Sequence, residues 1–184
     1  MDKDVLPDFL SHYYDKSQGP FRNLSMLPSA LAEQRLQAIR EQGDLFASRR
    51  SADYLQIRRE LEDRVRDLFE GKGGRPLLAR PHYMILGACP WVKSWYADGQ
   101  ELRIPLDAFD PLTVSFTYGD SFPAMRYQDG KDYRGQVYTL VELPHLIRLY
   151  GLPQEWNHDG DQGLDRYIEA QVWDQRPLQG FLAG

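Results

Sequence analysis

The first 70 or so residues have the pattern of polar and apolar positions that is typical of helices. Residues 7–16 predict a short first helix, with a proline near its start and a glycine-proline pair beyond its end. A second helix is predicted over residues 28–43 and a third over residues 51–71, each ending at a glycine. Residues 1–75 are therefore expected to form a mostly helical layer.

Further along the chain the pattern changes to one typical of β-strands. Residues 82–87 predict a buried strand, and residues 113–118 alternate strictly between two faces. Thr139 and Glu142 match a capping box, which opens a helix that Gly151 closes. Further strands are predicted over residues 101–104, 134–139 and 167–173, and a helical turn over residues 91–96.

The order of these elements, helices first and then strands with one late helix, favours an α+β fold. We expect N-terminal helices packed on a mixed or antiparallel β-sheet formed by the C-terminal two-thirds. Residues 1–184 show no internal repeat and no linker, so they predict a single domain with a strand-rich part over residues 81–175.

Two arginines fall where an apolar side chain is expected. On a helical wheel of the third helix, at about 100° per residue, Arg58 lies about 40° from Tyr54 and inside the apolar arc. In the second helix, Arg35 falls in the middle of the apolar face. An arginine in a core-facing stripe keeps its charge, so it needs a carboxylate, carbonyls or an anionic ligand. Both are therefore candidates for an anion site, and the alternative is a structural salt bridge or a side chain that reaches the surface.

The chain carries 22 Lys and Arg residues against 27 Asp and Glu residues, a net charge of -5. Such a field repels phosphate, so general attraction to nucleic acid or to an anionic membrane is disfavoured. A locally basic stretch keeps RNA or phosphate-backbone binding open as an alternative, through Arg49, Arg50, Arg58 and Arg59. The N-terminus lacks the apolar stretch of a secretory signal, and no apolar run is long enough to span a membrane. We expect a soluble cytoplasmic protein.

The last predicted strand has an unusual outer face. Its apolar residues share one face, and the other face carries two aromatic rings, a carboxylate and an amide: Tyr167, Trp173, Glu169 and Gln171. This face predicts either a sheet surface covered by another element or a groove. In a groove, Glu169 could act as an acid, a base or a ligand of sugar hydroxyls.

Other chemistry-bearing residues match no recognised motif. Cys89 has no basic residue near it in sequence, so a buried and inert thiol is expected. The four histidines lack zinc-ligand spacing, and no metal site is predicted. Residues 157–165 alternate oxygen-bearing side chains as a calcium loop does, but Gln162 and Ile168 stand where an EF-hand has Gly and Glu. A polar turn explains these residues.

Four blocks resemble the recurring blocks of a family of uncharacterised bacterial proteins of about this length. The blocks are GPFRNL at 19–24, PHYMILG at 81–87, SFTYGD at 115–120 and YIEAQVW at 167–173. The resemblance covers most of the chain and implies no function.

Three short pieces also resemble ADP-ribosyltransferase-like folds. His82 in the first strand of the strand-rich part, a Ser-x-Thr strand at Ser115 and a late strand with Glu169 stand in the same chain order. The resemblance implies that His82 and Ser115 hold NAD and that Glu169 steadies the ribose as the glycosidic bond breaks. The chain departs from the pattern at Tyr167, where many members carry Glu or Gln.

These features predict a protein that binds a small anionic or nucleotide-like ligand, or a protein partner, without a cofactor. The expected ligand contacts are the two arginines and the outer face of the last strand: Arg35, Arg58, Tyr167, Gln171 and Trp173. The alternative is an NAD-using enzyme, with Glu169, His82 and Ser115 as its catalytic residues.

Overall fold

The computed structural model describes residues 5–22, 27, 29–42 and 53–182, which form an antiparallel sheet of six strands with helices on both faces. The strands are β1 (Phe9–Asp15), β2 (His82–Leu86), β3 (Gly99–Pro105), β4 (Val114–Tyr118), β5 (Tyr138–Thr139) and β6 (Ile168–Val172). The helices are α1 (Ser29–Gln42), α2 (Tyr54–Gly71), α3 (Pro90–Lys93), α4 (Ser121–Arg126), α5 (Leu143–Tyr150) and α6 (Pro153–Trp156). The mixed α+β class that the sequence predicts is confirmed.

The sheet has the strand order β3-β1-β2-β6-β4-β5, and every neighbouring pair is antiparallel. Near its centre, Ala170 of β6 lies opposite Met84 of β2 on one side and Phe116 of β4 on the other. Every residue of β4 and β6 is buried, so helices and loops cover both faces at the centre of the sheet.

The first face carries the larger apolar core and is covered mainly by α5. A capping box starts the helical segment, because the backbone N–H of Thr139 donates to Oε2 of Glu142 over 2.7 Å. Gly151 ends α5 with a φ of 73°, a conformation that glycine adopts without strain. The buried contacts of α5 in this core are Leu143, Leu146 and Ile147.

The second face is covered by α2, α4 and α3. Apolar residues of α2 and α4 pack around Trp173, which is fully buried: Leu61, Val65, Phe69, Ala124 and Met125. Beside this cluster, Val92 of α3 packs with Ile85 and Tyr167. At Trp173 the outer face of the last strand is therefore a covered sheet surface, one of the two possibilities that the sequence left open.

α1 packs against the start of α2 through a narrow stripe. Ala32 and Leu36 are fully buried and form a separate small cluster with Leu55 of α2. Leu31, on the neighbouring face, is 41% exposed. α1 therefore adds to this separate cluster and not to the larger clusters that cover the sheet.

Two predicted elements are wrong. Residues 9–15 form β1 and not a helix, because seven consecutive residues pair with β3 and the Tyr-rich segment suits a pleated surface. Of the strand predicted over residues 134–139, only β5 is a strand. The other predicted strands are confirmed within a residue or two of their ends. In the described part of the chain, no helix has the length and apolar character needed to cross a bilayer.

Candidate functional site

A cavity of about 220 Å³ lies on the second face of the sheet, between β1, β2, β6 and the starts of α2 and α4. Aromatic rings form much of its wall: Tyr13, Phe21, Tyr54, Tyr83, Trp95, Tyr96, Phe122 and Tyr167. The polar and charged residues along it are Ser11, His12, Arg22, Arg58, His82, Asp120, Ser121 and Glu169. We call this space the sheet cavity. Its volume equals that of about seven liquid water molecules, which suits a small metabolite.

The cavity reaches the sheet where β1 and β2 diverge. These strands share only the register pair Ser11–Ile85, and the ring of His12 bridges to β2 beyond it. Nδ1 of His12 lies 2.9 Å from the carbonyl oxygen of Tyr83, and Nε2 accepts the backbone N–H of Phe21 over 2.9 Å. Both bonds form only when the imidazole is neutral with its proton on Nδ1. Burial lowers the pKa of His12 to about 4, which is consistent with that neutral form.

Phe21 is held in an uncommon backbone conformation at the wall of this cavity. Its φ is 58°, in the left-handed region that residues other than glycine rarely adopt. The ring stacks on His12 at a centroid distance of 4.0 Å and meets His82 edge-on at 5.4 Å. Strain of this kind persists only where the surrounding contacts fix it, and it concentrates at functional sites.

Glu169 is the buried carboxyl group of the cavity. The alternation of β6 turns it toward the second face, and its residue is 6% exposed. Its Oε1 accepts hydrogen bonds from the side chain of Gln171 over 3.0 Å and from the backbone N–H of Ser121 over 3.3 Å. Within the described residues, Oε2 has no hydrogen-bond donor. Burial, and then the nearby carboxylate of Asp120, raise the pKa of Glu169 to about 8.

Asp120 supplies a second carboxyl group at the start of α4. Its Oδ1 accepts the backbone N–H of Phe122 over 2.8 Å, as an N-cap residue does. Its Oδ2 accepts the hydroxyl of Tyr167 over 3.1 Å. Neither Asp120 nor Glu169 forms an ion pair within the part of the chain that the structure describes. Asp120 and Glu169 therefore lie beside one cavity, and the positive charge of Arg58 only partly offsets the rise in the pKa of Glu169.

Arg58 also lines the cavity, but its charge is already balanced. Its Nε lies 3.1 Å from Oε1 of the buried Glu62, and its Nη1 donates to the hydroxyl of Tyr54 over 2.8 Å. The guanidinium lies 4.6 Å from the ring centre of Tyr83, within cation–π range. The inward position predicted for Arg58 is confirmed, and a structural salt bridge accounts for it.

His82 is a buried imidazole on the cavity wall. Its residue is 4% exposed, and neither ring nitrogen has a hydrogen-bond partner among the described residues. Burial lowers its pKa, so the ring is neutral at physiological pH. A buried and unpartnered polar group costs free energy unless a ligand or water satisfies it.

Three predicted site residues lie away from the cavity. Ser115, Gln171 and Trp173 are fully or almost fully buried and bond to one another. Oγ of Ser115 donates to Oε1 of Gln171 over 2.9 Å and accepts the indole N–H of Trp173 over 2.9 Å. The cavity therefore brings together Arg58, His82, Tyr167 and Glu169 but not these three, which support Glu169 from behind.

The position predicted for Arg35, on the apolar face of its helix, is wrong. Its side chain is exposed, because α1 buries only the stripe of Ala32 and Leu36. The remaining arginines of the RNA alternative are only partly described. Arg49 and Arg50 lie outside the described residues, and Arg59 donates to the carbonyl oxygen of Leu27 over 2.9 Å.

Cys89 and the polar loop before β6 have structural contacts. Cys89 is a buried free thiol whose pKa is raised by burial, as the sequence predicts for an inert cysteine. The side chain of Asn157 is buried and donates to the carbonyl oxygens of Gly163 and Asp165. Among the described residues, no three His, Cys, Asp or Glu side chains converge in a metal-holding arrangement.

Comparisons with protein-family models, with curated proteins and with solved structures found no match.

Proposed function

We propose that the protein binds a small organic cation with an aromatic or otherwise flat body in the sheet cavity. The observation that supports this most is the pair of carboxyl groups of Glu169 and Asp120, enclosed by aromatic rings and lacking an ion-pair partner among the described residues. Carboxylates neutralise a cation, and the faces of Tyr and Trp rings attract one.

The charge balance around the cavity favours a cation over the anionic ligand expected from the sequence. Arg58 is paired with Glu62. Arg22 keeps its charge, but its side chain is exposed and its Nε donates to the carbonyl oxygen of Gln18. The acidic groups along the cavity are those of Asp120 and Glu169. An anionic group close to them would be repelled.

The raised pKa of Glu169 has the same physical origin. A carboxyl group that is buried beside another carboxyl group holds its proton more tightly, since ionisation would place two negative charges together. A cation that enters the cavity removes this penalty. In the protonated form, Glu169 instead offers one donor and one acceptor, a pattern that suits a neutral amide or a base edge.

The test compares ligands of matched shape that differ only in charge. Phenethylamine and 2-phenylethanol have the same ring and chain length, and calorimetric titration at pH 8.5 should give the amine at least a tenfold lower Kd. Asp120→Asn and Glu169→Gln should each weaken amine binding. The control Asp161→Asn, which removes an exposed carboxylate away from the cavity, should leave the Kd within twofold. Equal affinity for both probes, or an unchanged Kd in both carboxyl variants, contradicts the proposal.

The NAD-using alternative is tested in the same titrations. Glu169 and His82 line the cavity, but Ser115 is occupied by Gln171 and Trp173 and does not reach it. Saturable NAD binding that is lost in Ser115→Ala would favour that alternative over the organic-cation site.

A further inference from the structure

A second concavity lies at the far end of α4, where the helix leads into the loop before β5. It has a volume of about 400 Å³ and lies against one side chain from α2. Four of its lining residues are cationic, Arg64, Arg126, Lys131 and Arg134, and no lining residue is acidic. We call it the arginine groove.

Two of the four cations are fixed by aspartates behind the groove. Arg134, whose side chain is only 6% exposed, donates to Oδ1 of Asp165 over 2.7 Å and to Oδ2 of Asp129 over 2.9 Å. Nζ of Lys131 donates to Oδ2 of Asp165 over 2.9 Å. These two cations and two aspartates balance in charge and set the positions of the basic side chains.

The other two cations have no carboxylate partner. Within the described residues, neither Arg64 nor Arg126 lies within ion-pair distance of an Asp or Glu. Arg64 is nevertheless held in place, because its Nη1 donates to the carbonyl oxygen of Met125 over 2.9 Å. This single bond to a neutral acceptor leaves most of the guanidinium donors of Arg64 unused.

A glycine makes room for that guanidinium. A Cβ atom placed on Gly135 would stand 3.3 Å from Nη2 of Arg64, closer than ordinary packing allows. Gly135 also has a φ of 69°, a conformation in which any side chain is strained. The local backbone therefore accommodates the arginine at the edge of the groove.

We propose that the arginine groove binds the phosphate group of a small phosphorylated molecule. Planar guanidinium groups with free donors match the geometry of phosphate oxygens. The two arginines without a carboxylate partner attract a dianion in an otherwise acidic protein. The volume admits a sugar phosphate or a nucleoside monophosphate. This inference is independent of the organic-cation site, since it uses none of the side chains that line the sheet cavity.

The probes are inorganic phosphate, glucose 6-phosphate and glucose. Titration at low ionic strength should show binding of both phosphates and none of glucose. The double variant Arg64→Gln with Arg126→Gln should weaken phosphate binding at least tenfold, while Arg148→Gln, an exposed arginine on α5, should leave it within twofold. Gly135→Ala should weaken binding too, through displacement of Arg64.

Three results would overturn the inference. The first is phosphate binding that survives in the double variant. The second is glucose binding with the same affinity as glucose 6-phosphate. The third is binding of a short RNA without any binding of the small phosphates. Each binding measurement is accompanied by the melting temperature of the same protein without ligand. Phenethylamine binding at the sheet cavity should be unchanged in the double variant, so that the two sites fail or succeed separately.

Discussion

The side-chain amide of Gln171 donates to Oγ1 of Thr117 and to Oε1 of Glu169, each over 3.0 Å. Its carbonyl oxygen accepts the hydroxyl of Ser115, which in turn accepts the indole N–H of Trp173. A continuous line of hydrogen bonds thus runs beneath the helices from Trp173 to the cavity. Because each member is buried, the line fixes the direction in which Glu169 faces.

Breaking this line at Ser115 should reduce stability. Ser115→Ala leaves the indole N–H of Trp173 and the carbonyl oxygen of Gln171 unpaired, so we expect a loss of about 1–3 kcal/mol in the free energy of unfolding. Urea denaturation measures this loss. The control is Ser94→Ala on the exposed surface, which should change the free energy of unfolding by less than about 0.5 kcal/mol. A neutral effect of Ser115→Ala would mean that the hydroxyl bonds are not formed in solution.

Binding of an organic cation should strengthen as the pH rises. Glu169 has a pKa of about 8, so at pH 6.5 it is mostly protonated and a cation must displace that proton. Above pH 8.5 the carboxylate is already ionised and meets the cation directly. Calorimetric titration of phenethylamine at pH 6.5, 7.5 and 8.5 should show a falling Kd, approaching tenfold per pH unit below the pKa. Glu169→Gln should remove this dependence, and a Kd that does not change with pH in the unmodified protein would exclude Glu169 from the site.

His12 should make the fold sensitive to mild acid. Burial lowers its pKa from 6.5 to about 4, so the unfolded chain binds a proton in this range while the folded chain does not. Stability from this residue is therefore full above pH 6.5 and declines as the pH falls toward 4. The loss is at most about 3.5 kcal/mol, for a shift of about 2.5 pKa units at about 1.4 kcal/mol per unit. His82, whose pKa is also lowered by burial, acts in the same direction.

The comparison for His12 uses the slope of unfolding free energy against pH. In His12→Gln the slope between pH 7 and pH 4.5 should be shallower than in the unmodified chain, because the amide does not titrate. His145→Gln, at an exposed position on α5, should keep the original slope. Identical slopes in all three proteins would show that His12 titrates normally in the folded state.

Asp165 should be among the most costly residues to neutralise. Its side chain is fully buried and accepts hydrogen bonds from Lys131, Tyr133 and Arg134. Burial alone would raise the pKa of Asp165, but the bonds from Arg134, Tyr133 and Lys131 together lower it. Its contribution to stability is present above the unfolded-state pKa near 3.9 and is lost as the pH falls through the lower folded value.

Removing that charge leaves two cations, Lys131 and Arg134, to share the carboxylate of Asp129. We expect Asp165→Asn to cost about 3–5 kcal/mol in urea denaturation at pH 7, as is usual when one member of a buried ion pair is removed. Asp161→Asn, an exposed change in the same loop, should cost less than about 0.5 kcal/mol. If both variants unfold at the same urea concentration as the unmodified chain, the buried cluster does not contribute to the folded state.

The elements found from the sequence are those whose signals are local. β4 alternates over five residues and α5 has both a capping box and a closing glycine, so neighbouring residues suffice to identify them. For the residues of β1 the local pattern predicts a helix, because their strand partners are distant in the chain. Tyr13 pairs with Glu101, and nothing near Tyr13 indicates that pairing. For short segments, tertiary pairing decides between helix and strand.

The sequence predicts only those residues of the candidate site whose placement follows from a local pattern. The alternation of β6 placed Glu169 and Tyr167 on one face, and the structure puts both on the cavity wall. That face did not reveal that Gln171 and Trp173 would be enclosed by α2 and α4. Asp120 and His12 were not identified as site residues, because their roles depend on contacts with Tyr167 and Tyr83, each more than 45 residues away in the chain.

α4 is a wall shared by the two candidate sites. Ser121 and Phe122 at its start face the sheet cavity, and Met125 and Arg126 at its end border the arginine groove. A helix of six residues is about 9 Å long and moves as one piece. Any occupant that tilts or shifts it at one end alters the opposite end as well. Occupancy of the two sites is then thermodynamically linked. The linkage is reciprocal, because each ligand changes the affinity of the other by the same factor.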